Sequence, residues 1–290
     1  MAVAWSLAIV SPFFRRVLAL CGIAIFGLLL QWSDRAQRII EPVEHVLYDH
    51  VRRFLAGEKD HVRILIVDID AESLAPVGPW PWPRFLIADL IERLLVDYDA
   101  KSVGLDIIFP SRSEDRHGGD KRLAALGEHW PVVFAQAFDF ALREQPLQTG
   151  VPLLHGTTNL LELAGPPRAA TGFVANHEGL SMVRCVGNIG IRPDDDGRIR
   201  QVPLVVEWQG LKNLLLPLEM LRCSAQSAQS VPERSAPPMS PALDAASWKV
   251  PFDRKWEAYT VTSASDILAG NAPAELLRGR WVLIGSSALG

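Results

Sequence analysis

Apolar and polar positions along residues 62–109 change pattern twice, and these changes predict a strand, a helix and a second strand. Residues 64–70 form a nearly continuous aliphatic run closed by acids, which is typical of a central strand covered by helices on both faces. Residues 103–109 are again almost wholly apolar. Between these runs, apolar residues recur at helical spacing, at Ile87, Leu90, Ile91, Leu94 and Leu95. This order predicts a right-handed βαβ unit in a parallel sheet.

A proline-rich segment joins the first strand to the helix. Three prolines alternate with Trp80 and Trp82 over residues 79–83. Because proline lacks a backbone N–H and fixes φ, the segment is predicted to be a stiff, extended connector. Pro83 suits the first turn of the helix that follows it.

The rest of the body continues as a mixture of short strands and helices. Further strands are predicted at residues 131–138, 259–261 and 281–287, and further helices at 121–126, 214–222 and from 265. Two more strands, at 187–192 and 198–207, flank an Asp-rich turn at 193–197 and predict a β-hairpin. Residues 139–180 carry no clear pattern. Residues 224–247 are rich in Ser, Ala and Pro, which predicts a flexible insertion.

The N-terminal region has a membrane-anchor pattern. Residues 17–30 contain no polar side chain, and a helix of that length reaches about 21 Å of a hydrocarbon core of about 30 Å. Inclusion of Gln31 and Trp32 brings the helix close to spanning length. We therefore predict a tail at 1–16, a transmembrane helix at 17–33, an amphipathic juxtamembrane helix at 34–60 and a folded body at 61–290. A cleaved signal peptide and a buried soluble helix are the alternatives.

Composition narrows the class of protein. With 290 residues, 49% hydrophobic and 21% charged, the chain can bury a full core. A net charge of −4 and the absence of a basic stripe argue against a nucleic-acid partner. The three cysteines are too few for a disulfide-stapled scaffold or a cysteine zinc site, and at most one pair can form in the body. The predicted fold class is α/β, a mainly parallel sheet flanked by helices with a β-hairpin extension, preceded by one N-terminal transmembrane helix.

Several segments together resemble the CHASE2 domain, a bacterial extracytoplasmic sensor module. The resemblance covers about residues 40–290 and is carried by residues 46–49, 64–70, 80–84, 104–109, 188–189, 193–204 and 277–287. The chain departs from the family pattern at residues 97–100 and in the insertion at 224–247. In the family, an output domain usually follows the sensor, such as a histidine kinase or a nucleotide cyclase, and no such domain is recognised in these 290 residues.

The resemblance implies a membrane-anchored sensor region of a bacterial signal-transduction receptor. The expected location is the inner membrane, with a single N-terminal span and a periplasmic or extracellular body. The expected partners are the membrane and an unidentified stimulus, with a homodimer by analogy with the family. No cofactor is expected, and the region is expected to have no catalytic activity of its own. A structural envelope protein without a ligand is a further alternative.

Candidate ligand-binding residues follow the predicted strands or lie in the connector. Asp68, Asp70 and Asp106 are at strand ends, which gather at one edge of a parallel sheet where ligands bind. Three oxygen ligands would suit Mg²⁺ or Ca²⁺, and the metal is undetermined. Capping of the next turn, or pairing with Arg84, is the more common role of such residues. Trp80 and Trp82 could line the same pocket, although such residues more often pack in a core.

An enzymatic function is the alternative to the sensor function. Asp68 and Asp70 at the end of an apolar strand resemble the opening motif of haloacid-dehalogenase-like phosphohydrolases, in which the first Asp attacks phosphorus and the second handles the proton. Glu72 stands where that family has Thr, and no later segment completes the motif. An Asp-dependent phosphohydrolase is therefore the alternative function. The acids at 194–196 favour a turn over a calcium loop.

Overall fold

The computed structural model describes residues 63–113, 117–154, 167–194, 196–227, 247–250, 252 and 256–288, together with 22, 47, 48, 50, 51 and 54. The chain divides into two compact units, residues 1–57 and 58–290. In the first unit the described residues are helical, and Leu47, Val51 and Phe54 are exposed. The predicted tail at 1–16 and, apart from Gly22, the predicted transmembrane helix at 17–33 lie outside the described residues. Within the described part of the chain, we find no helix with the length and apolar character that membrane crossing requires.

The second unit is built from short strands and six helices among its described residues. The strands are β1 (Ile64–Ile69), β2 (Ser102–Leu105), β3 (Val132–Asp139), β4 (Gln148–Thr149), β5 (Arg168–Ala169), β6 (Gly172–Val174), β7 (Cys185–Asn188), β8 (Gln201–Pro203), β9 (Val205–Trp208), β10 (Leu211–Leu214), β11 (Ser247–Lys249), β12 (Thr260–Ser263) and β13 (Trp281–Ser286). The helices are α1 (Ala71–Val77), α2 (Arg84–Val96), α3 (Gly119–His129), α4 (Leu216–Ser227), α5 (Ala264–Ala269) and α6 (Ala274–Leu277).

The central sheet is mainly parallel, as predicted. Its parallel strands run in the order β12-β1-β13-β2-β3-β7, and β6 adds to β3 in the antiparallel direction. β13, the last strand of the chain, lies between β1 and β2. The predicted unit of β1, α2 and β2 is present, but its two strands are not neighbours because β13 pairs with both.

Two apolar clusters hold helices on the sheet. Buried residues of β1 and α2, including Leu65, Val67 and Leu94, belong to the larger cluster. The smaller cluster joins α4 to β3 and β7 through Val133, Leu216 and Met220. Burial alternates along β1, and its even-numbered positions are only partly buried. The reason is that α4 lies over β2, β3 and β7 rather than over β1.

Helix α2 begins where the sequence predicts it, immediately after Pro83. Its apolar stripe is buried, and the chain leaves the helix through Asp99, which adopts a positive φ of 53°. Helix α1 is not among the predicted elements. Asp70 caps its start, and Pro76 lies inside it, one residue before its end.

The predicted hairpin across residues 187–207 is wrong. The turn itself forms, with the Gly197 N–H donating to the Asp194 carbonyl at 2.8 Å. However, β7 pairs with β3, and β8 pairs with β11, so the two sides of the turn join different sheets. The β-hairpin of this region is β9 and β10, which meet at the two-residue turn Gln209-Gly210, where both residues have positive φ.

The unpatterned region at 139–180 contains β4, β5, β6 and a 3₁₀ turn at Glu178–Leu180. Residues 155–166 of this region lie outside the described residues. The predicted insertion at 224–247 begins inside α4, and its residues 228–246 also lie outside them.

Candidate functional site

The six predicted site residues all lie near the carboxyl edge of the parallel sheet. Asp68 is near the end of β1, and Asp70 and Asp106 follow β1 and β2 directly. Arg84 opens α2, and Trp80 and Trp82 precede it. The strand topology therefore brings them to one side of the domain, but their side chains divide among four separate environments.

Asp70 has a structural environment. Its Oδ1 atom accepts hydrogen bonds from the Ser73 N–H at 2.8 Å, the Ser73 hydroxyl at 2.7 Å and the Ser263 hydroxyl at 3.0 Å. Burial raises the pKa of Asp70, but the hydrogen bonds from Ser73 and Ser263 together outweigh it and lower that pKa. Asp70 thus caps α1 and fastens it to β12, in agreement with the capping role considered from the sequence.

Asp68 is hydrogen-bonded to Ser287, which directly follows β13. Its two carboxylate oxygens accept hydrogen bonds from the N–H of Ser287 at 2.9 Å and from the hydroxyl of Ser287 at 2.6 Å. These contacts lie on the exposed side of the sheet edge. Asp68 therefore keeps part of its surface available to solvent while its orientation is fixed.

Asp106 and Gly285 complete a shallow notch beside Asp68. Gly285 is the register partner of Asp68, and the Asp106 N–H donates to the Ile284 carbonyl at 2.8 Å, so the three residues lie side by side on neighbouring strands. A Cβ atom built on Gly285 would meet nothing closer than the Asp106 Cβ at 4.0 Å. We name the space floored by Gly285 and flanked by Asp68 and Asp106 the Gly285 notch. With one strand between them, the two acids lie about 10 Å apart at the backbone.

Asp106 differs electrostatically from the other two acids. Partial burial of the carboxyl group raises the pKa of Asp106, although much of the residue is exposed. No side chain or N–H among the described residues makes a hydrogen bond or ion pair with this carboxylate. Among the six predicted site residues, Asp106 is therefore the acid whose carboxylate is available to bind a ligand.

The two tryptophans of the connector pack on each other and on the core. Their rings lie 6.2 Å apart in an edge-to-face arrangement. Trp82 is buried, and its indole N–H donates to the Gly78 carbonyl at 2.9 Å. Trp80 is partly buried against the main cluster. Both residues therefore have the packing role considered as the alternative to a pocket wall.

Arg84 does not pair with the strand-end acids. Its guanidinium donates to Asp120 Oδ1 and to the Ser111 carbonyl, both at 2.9 Å, and lies over the Phe109 ring. Asp120 in turn lies 3.3 Å from Nε2 of His177, a residue that the sequence analysis did not select. His177 gave no sequence signal because it lies in the unpatterned region, whereas Asp120 could have been found as the acid directly before a predicted helix.

The described residues contain no group of three or more carboxylate, histidine or cysteine ligands that could hold a metal ion. Asp70 faces the serines rather than Asp68 and Asp106. At the Asp-rich turn, Arg200 pairs with Asp194 at 2.8 Å and with Asp196 at 2.7 Å. The hydrogen bond from Arg200 lowers the pKa of Asp196, so Arg200 compensates part of the negative charge of this turn.

A disulfide bond joins the sheet to its covering helix. Cys185 of β7 and Cys223 of α4 are bonded, and both residues are buried at 1% exposure. The sequence alone leaves open whether these two cysteines pair. A buried disulfide is typical of proteins that fold in an oxidising compartment.

Comparison with known proteins gives one match. A family model for the CHASE2 domain matches residues 20–290. Searches of curated proteins and of solved structures returned no match.

Proposed function

The chain belongs to the CHASE2 domain family, whose members are sensor domains of signalling receptors, and from this premise we propose that it is the extracytoplasmic sensor region of a membrane-anchored bacterial receptor. The anchor in this proposal is the apolar segment at 17–33. The juxtamembrane segment at 34–60 would transmit a change in the body to that anchor, which requires two conformations that the stimulus distinguishes.

The disulfide is the structural observation that best supports an extracytoplasmic body. Cytosolic thiols are kept reduced, whereas disulfides persist in the periplasm and outside the cell. Cys185 and Cys223 are both buried, so their bond is part of the packed interior rather than an exposed reactive pair. A body that folds with this bond in place is suited to an exported location.

The family is sensory rather than catalytic, and the geometry of Asp70 agrees with that. A phosphohydrolase of the type considered above needs Asp70 to exchange a proton with the substrate. Here the Oδ1 atom of Asp70 accepts three hydrogen bonds and caps α1. We therefore keep the sensor function and do not propose the hydrolase.

We propose that a stimulus molecule contacts the Gly285 notch through Asp106 and Asp68. Asp70, Trp80, Trp82 and Arg84 then serve as the supporting structure of this edge. Two carboxylates flanking an open space favour a ligand that carries cationic or hydrogen-bond-donor groups.

Thermal unfolding of the full chain with spermidine tests this proposal. Spermidine should stabilise the wild-type protein, and Asp106→Asn should reduce that stabilisation. Asp266→Asn, which changes an exposed acid on α5, is the control and should leave the stabilisation intact. Equal stabilisation of all three proteins would show that the amine binds elsewhere.

Labelling of a surface cysteine in intact cells tests the location of the body. Leu142 is 95% exposed, so a Leu142→Cys variant in a Cys21→Ala background presents an accessible thiol. A membrane-impermeant maleimide should label this variant before the cells are permeabilised. Ile91→Cys, at a position that is fully buried, is the matched control for unfolded protein. Labelling of Leu142→Cys only after permeabilisation would refute an extracytoplasmic body.

A further inference from the structure

His177 is a buried histidine at the start of a tight turn. Its side chain is 6% exposed, and its backbone N–H donates to the Phe109 carbonyl at 2.8 Å. The residue caps the 3₁₀ turn at Glu178–Leu180, because its Nδ1 atom accepts a hydrogen bond from the Gly179 N–H at 3.0 Å. This cap requires Nδ1 to carry no proton.

The cap fixes the tautomer of the ring. With Nδ1 acting as an acceptor, the proton of the neutral ring is on Nε2. That atom is buried, lies 3.3 Å from Asp120 Oδ2 and makes no hydrogen bond of good geometry with the described residues. Asp120 already accepts hydrogen bonds from Arg84 and from the Ser113 N–H at 2.8 Å.

The hydrogen bond from Gly179 exists only with the neutral ring. The Asp120 carboxylate lies 3.3 Å from Nε2 and can face the proton on that atom in the neutral and in the charged ring. A charged imidazole, however, carries a proton on Nδ1, which would face the Gly179 N–H donor. Proton uptake on Nδ1 and the cap of the turn cannot exist together.

The surrounding charges connect this ring to the sheet edge. Among the described residues they include Asp120 of α3, Arg84 of α2, Glu178 of the turn, and Arg112 and His117 of the loop between β2 and α3. Glu178 forms an ion pair with Arg112, which attaches the turn to this loop, and Arg84 attaches the same loop to α2 through the Ser111 carbonyl. His117 lies against the Phe85 ring, with the ring centroids 4.7 Å apart. The loop begins at Asp106, in the Gly285 notch.

We propose that His177 is a proton-responsive latch, in which one proton taken from solvent onto Nδ1 breaks the cap to Gly179 and loosens the turn at 177–181 and the loop that it holds. The inference rests on the proposed sensor function in one respect, since it makes acidification a stimulus for this domain. The latch itself is a property of the folded body and can be measured without reference to signalling.

Hydrogen exchange on the full chain in detergent micelles tests the latch. Peptides covering residues 177–184 are compared at pH 7.5 and 5.5, after correction for the intrinsic effect of pH on exchange. We expect exchange of this segment to rise by about fivefold at pH 5.5, the factor that corresponds to the loss of one capping hydrogen bond. Imidazoles change charge in this range, whereas carboxylates ordinarily do not.

Two variants separate the latch from other histidines. His177→Asn keeps an acceptor for the Gly179 N–H, as Asn does in Asx turns, but does not titrate, so its exchange should be independent of pH. His129→Asn removes an exposed histidine of α3 and should respond like the wild type. An equal response of the wild type and His177→Asn, or no response in the wild type, would overturn the proposal.

Nitrogen-15 NMR of the wild-type histidines provides a readout that needs no variant. The Nδ1 atom of His177 should gain a proton in the same pH interval in which Gly179 loses its protection. Titration of His177 with the Gly179 N–H still protected would contradict the latch. This outcome is independent of the labelling experiment, so failure of the latch and failure of the extracytoplasmic location can be told apart.

Discussion

Asp70 and Asp106 are two acids at one sheet edge whose pKa values move in opposite directions. The pKa of Asp70 is lowered by its serine hydrogen bonds, despite burial, and that of Asp106 is raised by burial. The ionised form is therefore stabilised by folding at Asp70 and destabilised at Asp106. Substitution of Asp70 and substitution of Asp106 should therefore change the stability of the body in opposite directions.

Removal of the Asp70 carboxylate should destabilise the body. We expect Asp70→Ala to lower the free energy of unfolding by about 1 kcal/mol at pH 7, since it removes a helix cap. Because the pKa of Asp70 is lower in the folded state, its contribution is present above the ordinary value of 3.8 and is lost as the pH falls through the folded value. Urea unfolding at pH 7 and pH 3 measures both effects. Glu72→Ala, an exposed acid in the first turn of the same helix, is the control and should change stability less.

Removal of the charge at Asp106 should raise the stability of the body at pH 7, whereas removal of the Asp70 carboxylate should lower it. Its folded pKa lies above the ordinary value of 3.8, so the cost of ionisation appears as the pH rises through the folded value. Asp106→Asn should therefore raise the thermal midpoint at pH 7 and change it little at pH 3. Asp68→Asn should lower the midpoint, because it disturbs the hydrogen bonds from Ser287. A lower midpoint for Asp106→Asn at pH 7 would show that its carboxylate has a stabilising partner.

At the scale of single residues, the sequence predicts which acids lie at the sheet edge but not what each one contacts. Asp68 lies at the end of an unmistakable strand and Asp70 follows it, so their location could be predicted. The partner of Asp68 is Ser287, 219 residues away along the chain, and no local pattern specifies that pairing. Gly285 and His177 were missed for the same reason, because their roles depend on which strands and turns become neighbours.

At the scale of elements, the close packing of α4 on the sheet depends on glycines. A Cβ atom on Gly187 of β7 would lie 2.5 Å from the Leu216 Cα, which is helix backbone. A Cβ atom on Gly104 of β2 would lie 2.4 Å from the Met220 sulfur, the flexible end of a side chain. The two positions face the same helix but differ in how easily the neighbour can move.

This difference predicts unequal costs for two identical substitutions. Gly187→Ala should lower the free energy of unfolding by about 3 kcal/mol, at the upper end of the range for overpacking, because α4 must shift as a whole. Gly104→Ala should cost about 1 kcal/mol, since Met220 can change rotamer. Urea unfolding of the two variants measures the difference. Equal costs would mean that α4 moves on the sheet more easily than its contacts suggest.

Elements with a local signature were predicted well, and those specified by distant pairing were not. Helix α2 has a proline at its start and a regular apolar stripe, and it begins where expected. The hairpin at 187–207 was wrong although its turn forms, because β7 and β8 find partners in β3 and β11. A turn signal establishes a reversal of the chain, but not that the two flanking strands pair with each other.

At the scale of the whole molecule, the α/β class and the mainly parallel sheet follow from apolar runs separated by helical patterns. The position of β13 between β1 and β2 could not be predicted, since a strand order is set by packing of the complete sheet. This placement creates the Gly285 notch and brings the last described strand beside the first. The site is therefore a product of topology, even though its acids are visible in the sequence.

The side of the membrane on which the body folds is the central claim, and paired reporter fusions after Gly290 test it most directly. One reporter is active only outside the cytoplasm, such as alkaline phosphatase, and the other only within it. The account predicts an active phosphatase fusion and a silent cytoplasmic reporter, with Cys185 and Cys223 oxidised in the same cells. A silent phosphatase together with an active cytoplasmic reporter would contradict it.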